Sequence, residues 1–224
     1  MNHEQAVADA FNISLRRKAE KIGRKVHSYA LDGQDRDAGD YLLTDESKFA
    51  IVEFKYTDPD ISLENRKSRR LRLCRLLETN SGMTTLHDQC HFVAWMQRPK
   101  QDVHLNIYRH EVCNREIFGT ECGLKCASPS FDSRVLASQF ADEVLDTTGT
   151  RTLSLAEFER YLAWLMGVAS QGPKRTLEIL VNDDRTDDVR LVQLSSIRQV
   201  YDWFQARRSS ATASQNLGMS KAIE

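Results

Sequence analysis

The sequence predicts an α/β fold, in which a mixed β-sheet is flanked by helices and is followed by a C-terminal mostly helical module. Apolar residues recur at helical spacing over residues 4–22, which indicates an amphipathic helix. Strand-like alternation follows over 24–31 and 49–56, and a buried-looking strand over 91–97. Because a helix is predicted over 63–79, between the last two strands, the order favours a mixed sheet with helices on it.

The first elements are a helix, a strand and a hairpin. Gly23 ends the first helix. After the first strand, a polar loop over 32–39 leads into the hairpin, whose first strand runs up to Leu43. A polar turn over 44–47 separates it from the second strand, which begins at Phe49.

Capping and turn residues place the elements after the hairpin. Ser62 is a candidate N-cap for the helix over 63–79, which is basic in its first half and apolar in its second. Ser154 and Glu157 form a capping box. The other predicted elements are strands over 91–97, 102–112, 176–181 and 189–194, a loop over 113–131, and helices over 132–145, 154–169 and 195–207. We divide the chain into a core (1–128), a helical/ββα module that can pack with the core as one domain (129–207) and a disordered tail (208–224).

Composition excludes several classes of protein. The chain has 224 residues, of which 41% are hydrophobic and 28% charged, as in a globular protein. No apolar run is long enough to span a membrane, and the N-terminus lacks the pattern of a signal peptide. We therefore expect a cytoplasmic protein with no membrane partner, whose five cysteines are reduced thiols or metal ligands. The net charge of −1 gives no global attraction to nucleic acid.

The strand FAIVEFKY raises a question of charge. Glu53 and Lys55 share one face of an otherwise apolar strand, and burying an unpaired charge costs several kcal/mol. They are either a local pair on an exposed face or part of a site. Asp40 begins the preceding strand, where a hairpin brings it beside them, and Glu4 lies on the apolar face of the first helix. Carboxylates that converge suit Mg²⁺, although Glu4 is equally explained as a solvated first-turn residue.

Asp40 in AGDYLL, followed by Glu53 and Lys55 in IVEFKY, resembles the motif of the PD-(D/E)XK nuclease superfamily. The predicted element order over about residues 1–112 is also similar to that family's αβββαβ core. The resemblance implies a restriction-endonuclease-like core in which Asp40, Glu53, the Phe54 carbonyl and Glu4 hold Mg²⁺ or Mn²⁺. Lys55 would orient or deprotonate the attacking water.

The chain departs from this family at two points. Gly39 stands before Asp40 in place of the proline of the family's name, and Pro59-Asp60 follows Glu53 rather than preceding it. The helix after Lys55 lacks the glutamine-x-x-x-tyrosine element of the RecB-like exonucleases, which favours an endonuclease.

Two further groups of residues are candidates for binding. The basic cluster is either a solvated helix face or a nucleic-acid contact; its members are Arg66, Lys67, Arg69, Arg70 and Arg72. The second group is either a Zn²⁺ site or ordinary thiols with a histidine; its members are His110, Cys113, Cys122 and Cys126.

The sequence thus predicts a metal-dependent nuclease that acts on DNA, or on RNA, in bacterial defence, restriction or repair. It would act as a homo-oligomer or within a multi-protein complex. The alternative is an inactive nuclease-fold subunit that binds nucleic acid or protein.

Overall fold

The computed structural model describes residues 3–32, 39–45, 47–146, 148–169, 177–183 and 188–194, with single positions at 199, 202 and 206. The α-helices are α1 (His3–Lys21), α2 (Ser68–Thr79), α3 (Ser81–Cys90), α4 (Tyr108–Val112), α5 (Arg115–Phe118), α6 (Ala137–Leu145) and α7 (Leu155–Ala169). The strands are β1 (His27–Asp32), β2 (Tyr41–Thr44), β3 (Lys48–Thr57), β4 (His91–Gln97), β5 (Asp102–Ile107), β6 (Val135–Leu136), β7 (Leu153–Ser154), β8 (Leu177–Asp183) and β9 (Asp188–Leu194). Two 3₁₀ helices cover Asp58–Arg66 and Thr120–Cys122.

The described strands form one mixed sheet in the order β6-β5-β4-β3-β2-β1-β8-β9, with β7 paired to β3. β1, β2 and β3 are antiparallel neighbours, β4 runs parallel to β3, and β5 returns antiparallel to β4. The predicted α/β class, an open mixed sheet flanked by helices, is confirmed.

Each face of the sheet is covered by an apolar layer. Val52 and Phe54 of β3 pack with α1 and α6, for example against Phe11. Phe49 and Ile51 point to the other face, where they meet apolar side chains of α2, α3 and α7. Because side chains alternate along a strand, Glu53 and Lys55 share this second face.

β3 is therefore the central strand of a three-layer structure. Its burial is continuous from Phe49 to Lys55. The parallel register pairs Glu53 with Val93 and Lys55 with Trp95. A strand that is covered on both faces leaves no water for its charged side chains, so they need partners within the protein.

The segment after β3 differs from the prediction. The helix expected over 63–79 is a 3₁₀ helix over Asp58–Arg66 followed by α2. Asp60 accepts hydrogen bonds from the backbone N–H and hydroxyl of Thr57, which caps the 3₁₀ helix ahead of Pro59. Ser62 donates to the Pro59 carbonyl and caps no helix. Lys67 is extended and separates the two helices.

Other helix and strand boundaries also differ from the predicted ones. α3 was not predicted; it begins after Asn80, whose side chain accepts from the N–H of Met83. The strand expected over 102–112 ends at Ile107 and continues as α4, and the helix expected over 132–145 starts only at Ala137.

The described elements after residue 129 lie on the same sheet as the core. α6 packs against α1 and β5, α7 packs against α2 and α3, and β8 pairs with β1. The strands expected over 176–181 and 189–194 are present as β8 and β9. Most of the helix expected over 195–207, and the tail over 208–224, lie outside the described residues. Within the described part of the chain, no helix has the length and apolar character to cross a membrane.

Candidate functional site

Asp40 is fixed between β1 and β3 by its backbone. Its N–H donates to the Val52 carbonyl at 3.2 Å, and its carbonyl accepts from the N–H of Leu31 at 2.9 Å. Its carboxylate Oδ2 accepts from the N–H of Phe54 at 2.7 Å. The hairpin thus places this carboxyl group beside the backbone that joins Glu53 to Lys55, as the sequence predicted.

The position before Asp40, occupied by Gly39, has a steric reason to be glycine. A Cβ atom at this position would lie 2.2 Å from Cγ2 of Ile51 on the adjacent strand. Real Cβ atoms essentially never approach so closely. Any residue with a side chain, proline included, would push β2 and β3 apart at the point where Asp40 meets Phe54.

Glu53 is surrounded by cations. Its side chain is 1% exposed, and Lys55 Nζ and Lys67 Nζ each lie 2.9 Å from its Oε1. Arg70 Nη2 lies 2.9 Å from its Oε2. The charge of Glu53 in the apolar strand is therefore stabilised by cations from three places: Lys55 of β3, Lys67 after the 3₁₀ helix, and Arg70 of α2.

Glu64 completes this network and was missed by the sequence analysis. Its side chain is 0% exposed and lies 3.1 Å from Lys55 Nζ, 2.8 Å from Lys67 Nζ and 3.2 Å from Arg70 Nε. The hydroxyl of Tyr108 donates to its Oε2 at 2.7 Å. We call the five side chains Glu53, Lys55, Glu64, Lys67 and Arg70 the charged cluster.

The charged cluster moves the pKa of its own Glu53 and that of the neighbouring Asp40 in opposite directions. Burial and the repulsion of Glu53 raise the pKa of Asp40 to about 7, against the opposing effects of Lys55 and the Phe54 N–H. Burial would also raise the pKa of Glu53, but Arg70, Lys55 and Lys67 outweigh it and hold that pKa well below its usual range. An ionised Glu53 beside an Asp40 that titrates near neutrality is typical of functional sites.

Glu4 lies on the other side of β3. It is half-buried at the start of α1 and, together with Asp40, lines a cleft of about 80 Å³. The cleft is also lined by Gln5, Ala8, Ala30, Leu31, Tyr41 and Phe54. Asp40 therefore stands between Glu4 on one side of the sheet and the charged cluster on the other.

The oxygen atoms around Asp40 suit a hard divalent cation by type. At present Lys55 Nζ donates to the Phe54 carbonyl at 3.1 Å, and both carboxylate oxygens of Glu53 face side-chain cations. Among the described residues, no group of three or more His, Cys, Asp or Glu side chains is arranged as a metal site. The residues fit Mg²⁺ or Mn²⁺ in chemistry, provided that one internal cation moves away.

The basic cluster is divided between the surface and the interior. Arg70 is buried and ion-paired within the charged cluster, and its guanidinium lies 5.3 Å from the centre of the Tyr108 ring. The other four cations of the predicted group are exposed: Arg66, Lys67, Arg69 and Arg72. The exposed part of the basic cluster therefore consists of Lys67 and its near neighbours along the chain.

A second buried polar group ties α3, β4, α4 and α7 together. Nδ1 of His87 and Nδ1 of His91 each lie 2.7 Å from the hydroxyl of Tyr161. Since the Arg109 N–H donates to Nε2 of His87, the proton of His87 is on Nδ1 and points to Tyr161. The Tyr161 hydroxyl then donates to His91. Burial lowers the pKa of both rings, that of His91 to about 3.

These histidines predict a pH-dependent stability difference. Because the folded pKa of His91 is depressed from 6.5 to about 3, its contribution is complete above 6.5 and is lost as pH falls toward 3. Asp40, whose pKa is raised, makes the stability of the protein fall as pH rises. This effect is the same in the wild type and in His91→Asn, so the difference in stability between the two proteins isolates His91. We expect the stability gap between them to shrink by about 1.4 kcal/mol from pH 7.5 to pH 5.5 in urea unfolding. A stability gap that is constant with pH would contradict a neutral buried His91.

The four candidate zinc ligands do not form a tetrahedral set. Cys113 is disulfide-bonded to Cys74, with their Cα atoms 5.2 Å apart, so the expectation of reduced thiols is wrong for this pair. The ring nitrogens of His110 contact Ser133 Oγ and Arg109 Nη2, Cys122 is buried, and Cys126 is exposed. The cysteines therefore do not indicate a reducing compartment.

A cleft with a greater volume than the one at Asp40 lies elsewhere in the described part of the chain. It has a volume of about 530 Å³ and is lined by Thr85, Asp88, Gln89, Ile107, Glu143, Thr150 and Arg151. None of these belongs to the predicted site, and Glu143 and Arg151 are paired with each other. We place the candidate site at Asp40 and the charged cluster because that is where buried ionisable groups with shifted pKa values converge.

Comparison with protein-family models, with curated proteins and with solved structures gives no match to this chain.

Proposed function

We propose that the protein is a metal-dependent nuclease of the PD-(D/E)XK type that hydrolyses phosphodiester bonds, in DNA rather than RNA and by internal cleavage. The observation that carries the proposal is the hydrogen bond from the Phe54 N–H to Asp40. It holds one carboxyl group against the backbone between Glu53 and Lys55, at the centre of a mixed sheet.

The proposed roles follow from position. Asp40, Glu53 and the Phe54 carbonyl would hold Mg²⁺ or Mn²⁺, and Glu4 would add an acid from the cleft that it shares with Asp40. When bound, such an ion lowers the pKa of its water and neutralises charge on the scissile phosphate. The ammonium of Lys55 would orient the attacking water and stabilise negative charge that develops on the phosphate.

The exposed basic residues supply affinity for substrate. Arg66, Arg69 and Arg72 lie near Lys67 along the chain and would contact backbone phosphates without reading bases. Binding through them should weaken steeply with added salt, because each phosphate contact releases counterions.

The test is a cleavage panel with purified protein. Single- and double-stranded DNA and RNA, linear and circular, are incubated with Mg²⁺ or Mn²⁺ and with excess EDTA. We expect metal-dependent cuts in at least one substrate, with circular DNA opened if cleavage is internal. Products that form equally well in EDTA, or no product from any substrate, would count against the proposal.

One observation favours a second candidate, a non-catalytic nuclease-fold subunit that binds nucleic acid or protein. Glu53 is 1% exposed and its two oxygens face three cations, an arrangement that also serves as a purely structural core. This alternative predicts salt-sensitive binding of DNA that is indifferent to metal and leaves the DNA intact.

A further inference from the structure

Lys67 differs from the other cations of the charged cluster in its exposure. Its ammonium lies 2.9 Å from Glu53 Oε1 and 2.8 Å from Glu64 Oε1, so it bridges the two carboxylates. Its side chain is 46% exposed, whereas those of Lys55 and Arg70 are 5% and 3% exposed. Of the three, Lys67 alone can exchange its carboxylate partners for a partner in solvent.

The positive charge of Lys67 exceeds what the two buried glutamates require. Lys55 and Arg70 each contact both glutamates and together balance their two negative charges, so Lys67 leaves the charged cluster with a formal charge of +1. Among the described residues, two buried atoms of the same cluster lack a hydrogen-bond partner: the donor Nη1 of Arg70 and the acceptor Oε1 of Glu64, which is held by ion pairs with Lys55 and Lys67. Because Lys55 and Arg70 already balance the two glutamates, the exposed ammonium of Lys67 is the charge of this cluster that can turn to an anion in solvent.

The backbone of Lys67 allows its side chain to move. The residue is extended (φ −100°, ψ 97°), lies between the 3₁₀ helix and α2, and its N–H is bonded to the Glu64 carbonyl. Rotation about its side-chain bonds would carry the ammonium outward, into solvent, without displacing either helix.

We propose that Lys67 is a displaceable internal cation, which closes the Glu53–Glu64 carboxylate pair in the free protein and leaves it for a backbone phosphate of DNA. The vacated position, within hydrogen-bonding distance of both carboxylates, then accepts a divalent metal ion. Glu64 becomes a metal-binding residue in addition to those that the sequence motif supplies. This inference rests on the proposed nuclease function for its choice of ligands.

The displacement couples the two ligands. A phosphate that draws Lys67 outward raises the population of protein whose carboxylates are open, and a metal ion between the carboxylates frees Lys67 for phosphate. By linkage, each ligand must tighten the binding of the other by the same factor. The closed state also weakens metal binding in the free protein in proportion to its population.

The experiment is Mn²⁺ binding by calorimetry to the full chain, without nucleic acid and then with a phosphorothioate DNA duplex that resists cleavage. We expect Lys67→Met to bind Mn²⁺ at least about tenfold more tightly than the wild type without DNA. Glu64→Gln added to Lys67→Met should abolish this gain. The duplex should tighten Mn²⁺ binding to the wild type by a larger factor than to Lys67→Met, because only the wild type also gains from displacement of Lys67.

Two variants serve as controls. Arg17→Met removes an exposed charge of α1 and should keep wild-type Mn²⁺ affinity, and Lys67→Arg keeps an internal cation and should do the same. Equal Mn²⁺ affinity in the wild type and a folded Lys67→Met would overturn the inference. If Lys67→Met fails to fold, a wild type whose Mn²⁺ affinity is unaffected by the duplex overturns it as well.

The outcome separates this inference from the proposed function. Tighter Mn²⁺ binding by Lys67→Met in a protein that cuts no nucleic acid would uphold the displaceable cation and reject the nuclease. Metal-dependent cleavage with unchanged Mn²⁺ affinity would uphold the nuclease and reject the displaceable cation.

Discussion

Replacing Arg70 with methionine is expected to lower the free energy of unfolding by about 3–5 kcal/mol, the usual cost of removing one partner from a buried ion pair. The Arg70 guanidinium contacts Glu53 through Nη2 and Glu64 through Nε, and it is the cation with the largest lowering effect on the pKa of Glu53. Without it, two buried carboxylates depend on Lys55 and the half-exposed Lys67. The loss is measured by urea unfolding followed by circular dichroism.

Arg72→Met is the matched control for this prediction. Arg72 lies on the exposed side of the same helix, and its replacement should change stability by no more than about 0.5 kcal/mol. If Arg70→Met also stayed within about 1 kcal/mol of the wild type, the charged cluster would not be the ionised, tightly paired network described above.

The second large effect is expected on catalysis, from Asp40→Asn. Alanine at Glu53 or Lys55 would leave buried charges without a partner, so the loss of stability would be mixed with any effect on chemistry. Asp40 forms no ion pair among the described residues, and an asparagine oxygen can still accept from the Phe54 N–H. The change therefore removes a negative charge at the proposed metal position while it keeps the fold.

Asp45→Asn is the control for this change. Asp45 lies in the turn of the same hairpin and also accepts backbone hydrogen bonds, from Ser47 and Lys48, which an amide oxygen can replace. We expect Asp45→Asn to cleave at the wild-type rate. A loss of cleavage in both variants would show that the hairpin, not the Asp40 charge, had been disturbed.

Much of the sheet and part of the site could be predicted from periodicity. Strand alternation put Glu53 and Lys55 on one face of a strand covered on both sides, and the hairpin brought Asp40 to them. Both predictions depend on the spacing between residues that are close together in the chain, and this spacing can be read from the sequence. The roles proposed for these residues come from a family resemblance and stay a prediction.

The burial of the other members of the charged cluster was not predicted, because charged residues usually indicate exposed positions. Arg70 lies on the buried stripe of α2 with Leu73, Cys74 and Leu77, at the i, i+3, i+4, i+7 positions of a core-facing helix. That spacing was a signal, but an arginine at its start indicated solvent. Glu64 follows buried Ile61 by three residues, the period of a 3₁₀ helix, in a segment expected to be partly α-helical.

No local sequence pattern indicated the contacts between residues that lie far apart in the chain. The disulfide joins α2 to the residue after α4 across 39 positions, and nothing in the cysteine spacing selects Cys74 and Cys113 from five cysteines. The same is true of Tyr108, whose hydroxyl reaches Glu64 across 44 positions. Such contacts depend on how the helices pack onto the sheet, which local patterns do not determine.

The most direct measurement is the ratio of Mg²⁺-dependent cleavage rates of the wild type and Asp40→Asn, on the best substrate of the panel and at equal concentrations of folded protein. Removal of a charged group that acts on the reacting phosphate typically costs on the order of 10²–10³-fold in rate. We predict a ratio in that range, with melting of Asp40→Asn no earlier than that of the wild type. Equal rates in the two proteins would contradict a catalytic role for Asp40, and with it the proposed nuclease site.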